Sequence, residues 1–294
     1  MQFTLDQFTV NKDFPFYIQY GKHDRGLPVH SHKDFSELVI VLSGTATHIV
    51  NDETFSISKG DVFVISPETT HGFLDATQFR ICNIMFRHNL FAWLNADIKK
   101  SIGFQALFVV EPYFSKTHKF SSHLSLLPSD FLTIDELIAT MIKEYNQALI
   151  GRKTALSTMF LYFVTLLCRL YEKDIVPAKE EEVLRLAAAS SYIQQHFTEQ
   201  ISISYLAKLS NYSERHFSRL FYEIYGNTPL DYILSLRLEL ACELLKTTKK
   251  SHTISSIAFT CGFPNSNYFS RIFKKRFGMT PTDYRSGSKN YETL

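Results

Sequence analysis

The apolar positions between residues 201 and 285 run through one pattern twice. Ile203, Leu206, Ala207 and Leu209 give a brief helical periodicity that stops at Asn211; Phe217, Leu220, Phe221 and Ile224 then recur at i, i+3, i+4 and i+7, one stripe of a second helix. Ile254, Ile257 and Ala258, a turn at Cys261-Gly262-Phe263, and the stripe Phe269, Ile272, Phe273 and Phe277 repeat it. The punctuation matches as well. Ser213 and Asn265 are set to cap the longer helices, Gly226 and Gly278 to end them in left-handed backbone, and Thr228-Pro229-x-Asp231 and Thr280-Pro281-x-Asp283 to start the helices that follow. Aligned from Ser213 and from Asn265, nine of twenty positions are identical at an offset of 52, and the second turn is one residue longer.

Between the copies, Leu230, Ile233, Leu236, Leu240, Ala241, Leu244 and Leu245 form one apolar face, which predicts a continuous helix over 229–248. At ~1.5 Å per residue such a helix is about 30 Å long. Major-groove faces on one side of B-DNA recur every ~34 Å, so this rod could hold the two longer helices against adjacent turns of one duplex. The sides of those helices away from the apolar stripes carry Arg215, Ser218, Arg219 and Tyr222 in the first copy, and Ser266, Asn267, Ser270, Arg271 and Lys274 in the second. Arginine can bind guanine O6 and N7 through two hydrogen bonds, asparagine can do the same to adenine, and serine reaches phosphates or base edges. Any surface helix has a polar face; duplication with the same caps and turns is what favours recognition helices over solvated ones.

The N-terminal part has a different period. Phe35–Leu42, Thr45–Val50, Thr54–Ser58, Val62–Ile65 and Gln78–Phe86 are short β-rich runs separated by turn signals at Ser43-Gly44, Asn51-Asp52, Lys59-Gly60-Asp61 and Ser66-Pro67. Several closely spaced strands predict a barrel or sandwich. The arm before them alternates Phe3, Leu5, Phe8, Val10, Phe14, Phe16 and Ile18 with polar residues, which suits either an added strand or a segment folded over a pocket. Residues 87–127 are poorly periodic and are read as connecting structure. After Pro128 two apolar stripes, Phe131 to Leu149 and Leu156 to Leu170, broken at Gly151, predict two helices of about four turns each, suited either to covering the barrel or to a two-fold dimer contact. Residues 174–182 interrupt the pattern and read as a linker.

These residues carry a family resemblance. The two helix-turn-helix units, with Phe-Ser-Arg-x-Phe in each second helix and Cys261-Gly-Phe followed by Tyr268-Phe-Ser-Arg-Ile-Phe-Lys-Lys-Arg-Phe-Gly-Met-Thr-Pro-x-x-Tyr-Arg285, resemble the DNA-binding domain of the AraC/XylS family of bacterial transcription regulators over residues 183–287. The resemblance implies that the helices starting near Ser213 and Asn265 are the recognition helices. The first turn, Leu209-Ser-Asn-Tyr212, departs from it in lacking the glycine of the second.

A second resemblance lies upstream. His30-x-His32, Glu37 and Gly44, then Gly60-Asp61, Pro67 and His71, resemble the two motifs of the cupin barrel, the second only in part. In metal-binding cupins three histidines and the glutamate are ligands, and a His-x-His pair on a strand does put both imidazoles on one face. This leaves two readings. One is an effector pocket built from His30, His32, Glu37, His71 and Arg80, with no resident cofactor. The other is a metal-dependent cupin enzyme, its metal on His30, His32, Glu37 and His71, with a DNA-binding appendage. No further catalytic base or nucleophile stands out, which favours the sensor.

The expected architecture is therefore multi-domain and mixed β and α. A cupin-like barrel with its connecting structure occupies 1–127, a helical pair suited to dimerisation 128–173, a linker 174–182, and an all-α domain of two helix-turn-helix units 183–287. Net charge is only +2, but residues 183–287 hold thirteen Lys/Arg against seven Asp/Glu, whereas residues 1–182 hold seventeen against twenty-one. A basic module beside an acidic one suits phosphate binding by the former alone. The four cysteines, Cys82, Cys168, Cys242 and Cys261, lack metal or disulfide-framework spacing. There is no run of eighteen apolar residues and no leader pattern, so a cytoplasmic protein is expected. The resemblance implies double-stranded DNA as partner, a small effector such as a sugar, a homodimer and RNA polymerase, in a ligand-responsive activator of carbohydrate-utilisation genes; a regulator of virulence or stress genes is the alternative.

Overall fold

The computed structural model describes residues 1–9, 13–51, 53–87, 90, 97–116, 124–173, 182–247 and 252–287. It divides into two compact units, Met1–Ala187 and Ala188–Leu294. Val10, Asp52 and most of the expected linker, residues 174–181, lie outside the described residues.

Among the described residues the first unit is built on eight strands: β1 (Gln2–Phe3), β2 (Phe16–Lys22), β3 (Leu27–His32), β4 (Ser36–Val50), β5 (Glu53–Ser58), β6 (Asp61–Ile65), β7 (His71–Phe86) and β8 (Leu124–Ser125). Two long strands organise the rest. β4 pairs antiparallel with β7 along its length; its first half also takes β6 and its second half β5, while β7 takes β3 near its start and β2 near its end. The Ser43-Gly44 turn expected from the sequence is instead a bend inside β4. The register against β7 slips between Val41 and Thr47, Gly44 has φ +74°, and a side chain there would collide with the backbone of Thr77 and Gln78. A glycine that tolerates left-handed backbone and close approach lets the strand bend without ending. The core behind the bend holds Val39, Val41, Ile57, Phe63, Ile65, Phe73, Phe79 and Ile81, all at most 1% exposed.

The N-terminal arm does add strands. β1 pairs parallel with β3 and β2 antiparallel with β7. Between them Leu5, fully buried, packs with Phe35 and Met85. Arg87 anchors this segment through Nη2 to Asp6 Oδ1 at 2.7 Å and to Asp34 Oδ2 at 2.6 Å, while the Leu5 amide donates to Asp34 Oδ1.

The connecting region is more regular than its sequence suggests. It holds α1 (Ile102–Gln105), a π-helical turn over Ala106–Val110 and α2 (Glu111–Lys116), with Phe104, Leu107, Phe108 and Val110 buried. Helices α3 (Pro128–Asn146) and α4 (Arg152–Lys173) follow. At 19 and 22 residues they run longer than the four turns expected, and Leu149, 58% exposed, lies beyond α3 rather than on its stripe. The pair packs on the barrel: Phe160 meets Phe16 at 5.2 Å and Phe86 at 5.3 Å, and Tyr145 meets Tyr17 at 5.6 Å. α4 is long and apolar enough to cross a membrane by length and composition, but its burial of Leu156, Phe160, Phe163, Val164 and Leu167 is that of a core helix. Tyr162, on its other side, is 53% exposed.

The second unit is helical. α5 (Glu182–His196), within which the boundary between the units falls, leads into α6 (Ile203–Leu209), α7 (Glu214–Tyr225), α8 (Pro229–Thr247), α9 (Ile254–Thr260), α10 (Ser266–Phe277) and α11 (Pro281–Ser286). The caps act as their sequence indicates. Ser213 accepts from the His216 amide, Asn265 from the Tyr268 amide and Thr280 from the Asp283 amide, while Gly226 and Gly278 end α7 and α10 in left-handed backbone. The two turns share one hydrogen-bond scheme. Tyr212 and Phe263 donate to Ala207 and Ala258, and Asn211 and Gly262 take the left-handed position at φ +58° and +83°. Asparagine is the side chain that best tolerates that region, so the glycine missing from the first turn is replaced in kind. Residues correspond at an offset of 51 up to Tyr212 and Phe263, and of 52 from the caps onward; Pro264 is the added residue.

Candidate nucleic-acid interface and effector pocket

α7 and α10 bury Phe217, Leu220 and Phe221, and Phe269 and Phe273, and turn their other sides outward. All nine residues expected to face DNA lie there. Arg215, Arg219, Tyr222, Asn267, Arg271 and Lys274 are exposed, and Ser218, Ser266 and Ser270 are half-buried at the edges. Arg219 Nη1 contacts Glu223 Oε1 at 3.4 Å, a weak exposed pair that costs little to break. The Arg271 guanidinium sits over the Tyr268 ring, 5.5 Å from its centroid, which limits the directions in which it can reach. Lys274, Lys275 and Arg276 close α10, where cations suit the negative end of the helix dipole as well as a phosphate. Between these helices α8 is unbroken over its 19 described residues, about 28 Å at ~1.5 Å each.

In the first unit, His30, His32, Glu37 and His71 come together. All four are buried, and one ligand atom from each lies within 4.8 Å of the others. Strand alternation puts His30 and His32 on one face of β3, and His30 is the register partner of His71 at the start of β7. Glu37 Oε2 lies 3.2 Å from His71 Nε2 and 3.4 Å from His32 Nε2, and the two Nε2 atoms are 3.3 Å apart. His30 Nδ1 is 2.9 Å from the Pro28 carbonyl, so an N–H there leaves the Nε2 lone pair directed inward.

Burial dominates the electrostatics. It lowers the pKa of His30, takes His32 down to about 4 against the opposing pull of Glu37, and takes His71 down to about 3. The short Glu–His contacts favour imidazolium, but three bases crowded in one dry pocket cannot all be charged, and neutral imidazoles result. Neutral imidazoles and a carboxyl group are the donor set that first-row divalent ions take. Bonds of ~2.0–2.1 Å place neighbouring donors about 3.3 Å apart, the spacing seen among His32, Glu37 and His71, with a His30 ligand atom within 4.8 Å of each. The residues fit a metal ion.

Arg80 does not belong to this group. It is exposed and lines an open surface hollow of about 610 Å³ with Lys22, Asp24, Ser43 and Gln78. The expected grouping of Arg80 with the histidines is corrected: Ser43 and Lys22 are its register partners on β4 and β2, and on β7 it alternates outward between buried Phe79 and Ile81. His48, which the sequence reading passed over, is instead fully buried, stacked on Phe63 at 4.5 Å and edge-on to His71 at 5.8 Å. Alternation carried the signal, since Ala46, His48 and Val50 share the inward face of β4. The cysteines are all free thiols, and burial raises the pKa of each, that of Cys261 to about 12.

The Helix-turn-helix domain family matches residues 206–287 and the Cupin domain family residues 16–84. Along nearly its whole length the chain is similar to the HTH-type transcriptional activator RhaS of Enterobacter sp. (strain 638), 29% identical over 274 residues, 93% of this chain and 92% of that protein. The C-terminal part thus belongs to the Helix-turn-helix domain family and the N-terminal part to the Cupin domain family, in a chain similar over nearly its whole length to an HTH-type transcriptional activator. The HTH-type transcriptional activator RhaR of Mannheimia succiniciproducens is 23% identical over 286 residues, 97% of each chain. Among solved structures, an AraC-type transcriptional regulator from Chromobacterium violaceum is 33% identical over 35% of this chain and 89% of its own, with a TM-score of 0.32. Both motif groups read from the sequence fall inside the matched regions.

Proposed function

We propose that this protein is an AraC/XylS-family, ligand-responsive activator of carbohydrate-utilisation genes, acting in the cytoplasm as a homodimer on double-stranded DNA and on RNA polymerase. The observation that carries DNA recognition is the pair of capped helices with outward polar faces, α7 and α10, joined by the unbroken rod of α8. Activation rests on similarity to activators over nearly their full length. In the first unit, His30, His32, Glu37 and His71 form the effector site: buried polar groups flanked by the rings of Phe3, Phe35 and Phe73 suit a small polyhydroxylated molecule. The exposed side of α4, around Tyr162, is the dimer contact. Effector binding would shift which DNA sites both subunits reach together.

Selection of duplexes from random DNA by the full-length protein, followed by footprinting, tests the first part; protection of two adjacent major-groove segments is expected, and protection of one alone counts against it. Thermal-shift screening against sugars and small acids tests the second.

The donor spacing favours one additional element, a divalent metal held by His30, His32, Glu37 and His71. When bound, such an ion supplies a Lewis acid that grips a hydroxyl or carboxylate oxygen of the effector. The residues around it bind and orient; none is placed as a catalytic base, and the role is sensing rather than turnover. Elemental analysis of purified protein, with His71→Ala as control, decides whether the ion is resident.

A further inference from the structure

The two helix-turn-helix units do not meet only through α8. The short loop after α5 touches both. α5 itself is tied to the first helix-turn-helix unit and the start of α8: Tyr225 donates to Ser190 Oγ at 2.6 Å, and Gln194 donates to Tyr232 Oη at 2.5 Å. Beyond the end of α5 at His196, Arg237 of α8 reaches back with its guanidinium. Its Nε donates to the Phe197 carbonyl and its Nη2 to the Glu199 carbonyl, both at 2.6 Å. Two carbonyls left without helical partners are thus held by one planar fork, a geometry that lysine cannot supply.

Between these carbonyls, the Thr198 backbone lies against the turn of the second unit. A Cβ on Gly262 would sit 2.7 Å from the Thr198 carbonyl carbon and nearer still to its oxygen. Gly262 is therefore required twice, for φ +83° and for the approach of another backbone. The first helix-turn-helix unit puts Asn211, with its side chain, at the same place in the turn, so the close approach belongs to the second helix-turn-helix unit alone. Arg237 is half-buried at this junction; burial lowers its pKa, and Tyr268 and Cys261 of the second unit are its electrostatic neighbours. Tyr268 in turn lies under the Arg271 guanidinium.

We propose that the loop 197–199 is a brace that fixes the second helix-turn-helix unit relative to the first, with Arg237 and Gly262 as positioning residues for reading two groove segments at once. This rests on the DNA-binding role above and adds residues that need not touch DNA. A rod alone sets the separation of two recognition helices but leaves rotation about its axis to whatever else contacts them; a loop welded to α5 and α8 and seated on the Gly262 turn sets the rotation.

The test uses the full chain and two duplexes from the in vitro selection: the selected sequence, and the same sequence with the groove segment of one unit scrambled. Two linked contacts made without strain multiply their affinities, so the wild type should prefer the intact duplex by about tenfold or more. In Arg237→Gln and Gly262→Ala that preference should fall by about fivefold or more, while affinity for the scrambled duplex stays within about twofold, the pattern expected when effective concentration alone is lost. Melting curves check that the variants are folded, and if Gly262→Ala is not, Arg237→Gln carries the test. A preference retained in a folded variant overturns the brace, and so does an equal loss on both duplexes. A wild-type chain that binds no duplex overturns the function reading itself, and the brace with it.

Discussion

Phe35 lies nearly flat on His32, ring centroids 4.3 Å apart and planes 23° from parallel. Phe3, from the N-terminal arm, meets His30 edge-on at 5.4 Å. The pocket imidazoles are thus shielded by rings, one of them delivered by the arm, and that shielding keeps them uncharged.

A pH dependence of stability follows. Folded His32 has its pKa lowered by burial from 6.5 to about 4, and His71 to about 3. Between those values and 6.5 the unfolded chain binds more protons than the folded one, so stability rises with pH across this window and is level above it. In protein stripped with chelator, urea unfolding should lose on the order of 3 kcal/mol for His32 alone between pH 7 and pH 4. A flat profile would show that the imidazoles are not held neutral.

Arg271→Ala should cost about 1–3 kcal/mol of DNA affinity and relax preference at one base position, as loss of a two-bond guanine contact does. Competition binding at fixed salt measures both. Unchanged affinity and unchanged preference would remove α10 as the reader of sequence.

Lys274→Ala should behave differently. A phosphate contact carries no sequence information, so binding should weaken on selected and unrelated duplexes alike, and the slope of log K against log salt should become shallower by about one. A sequence-dependent loss would place Lys274 on a base edge instead.

The helix caps give a prediction independent of DNA. Ser213→Ala and Asn265→Ala each remove an oxygen that accepts a backbone amide in the first turn of α7 or α10. Each should lower unfolding free energy by about 0.5–2 kcal/mol, with glycine at the same position costing less. Chemical denaturation monitored by circular dichroism is sufficient to measure it.

The C-terminal unit was legible because its signals are local. Stripe, cap and left-handed glycine lie within one or two turns of each other, and duplication let each copy check the other. The four pocket residues were legible for another reason: the strand places His30 and His32 on one face, and the cupin resemblance supplied Glu37 and His71. What escaped depended on contacts far apart in sequence. The bend at Gly44 is fixed by Thr77 and Gln78, so it looked like a turn between two strands. Arg80 was a local miss: it joined the histidines on residue type alone, although alternation with buried Phe79 and Ile81 on β7 turns it outward. The helical run over 102–114 is buried nearly all round, Gln105 and Glu111 included, and a buried helix has no amphipathic period to read. Arg237 and Gly262 act through the 197–199 backbone, and no periodicity announces a contact between main chains.

The proline that lengthens the second turn also dictates where the two halves of the C-terminal unit can be cut and rejoined. Exchanging residues 214–225 for 266–277 swaps the whole of α7 for α10 between matching caps and matching terminal glycines, with equal length on both sides. An exchange that starts at the left-handed residue, 211 or 262, carries one residue too many and brings a glycine fitted to a neighbour that only one site possesses. Chimeras with altered target preference should therefore be spliced after the cap.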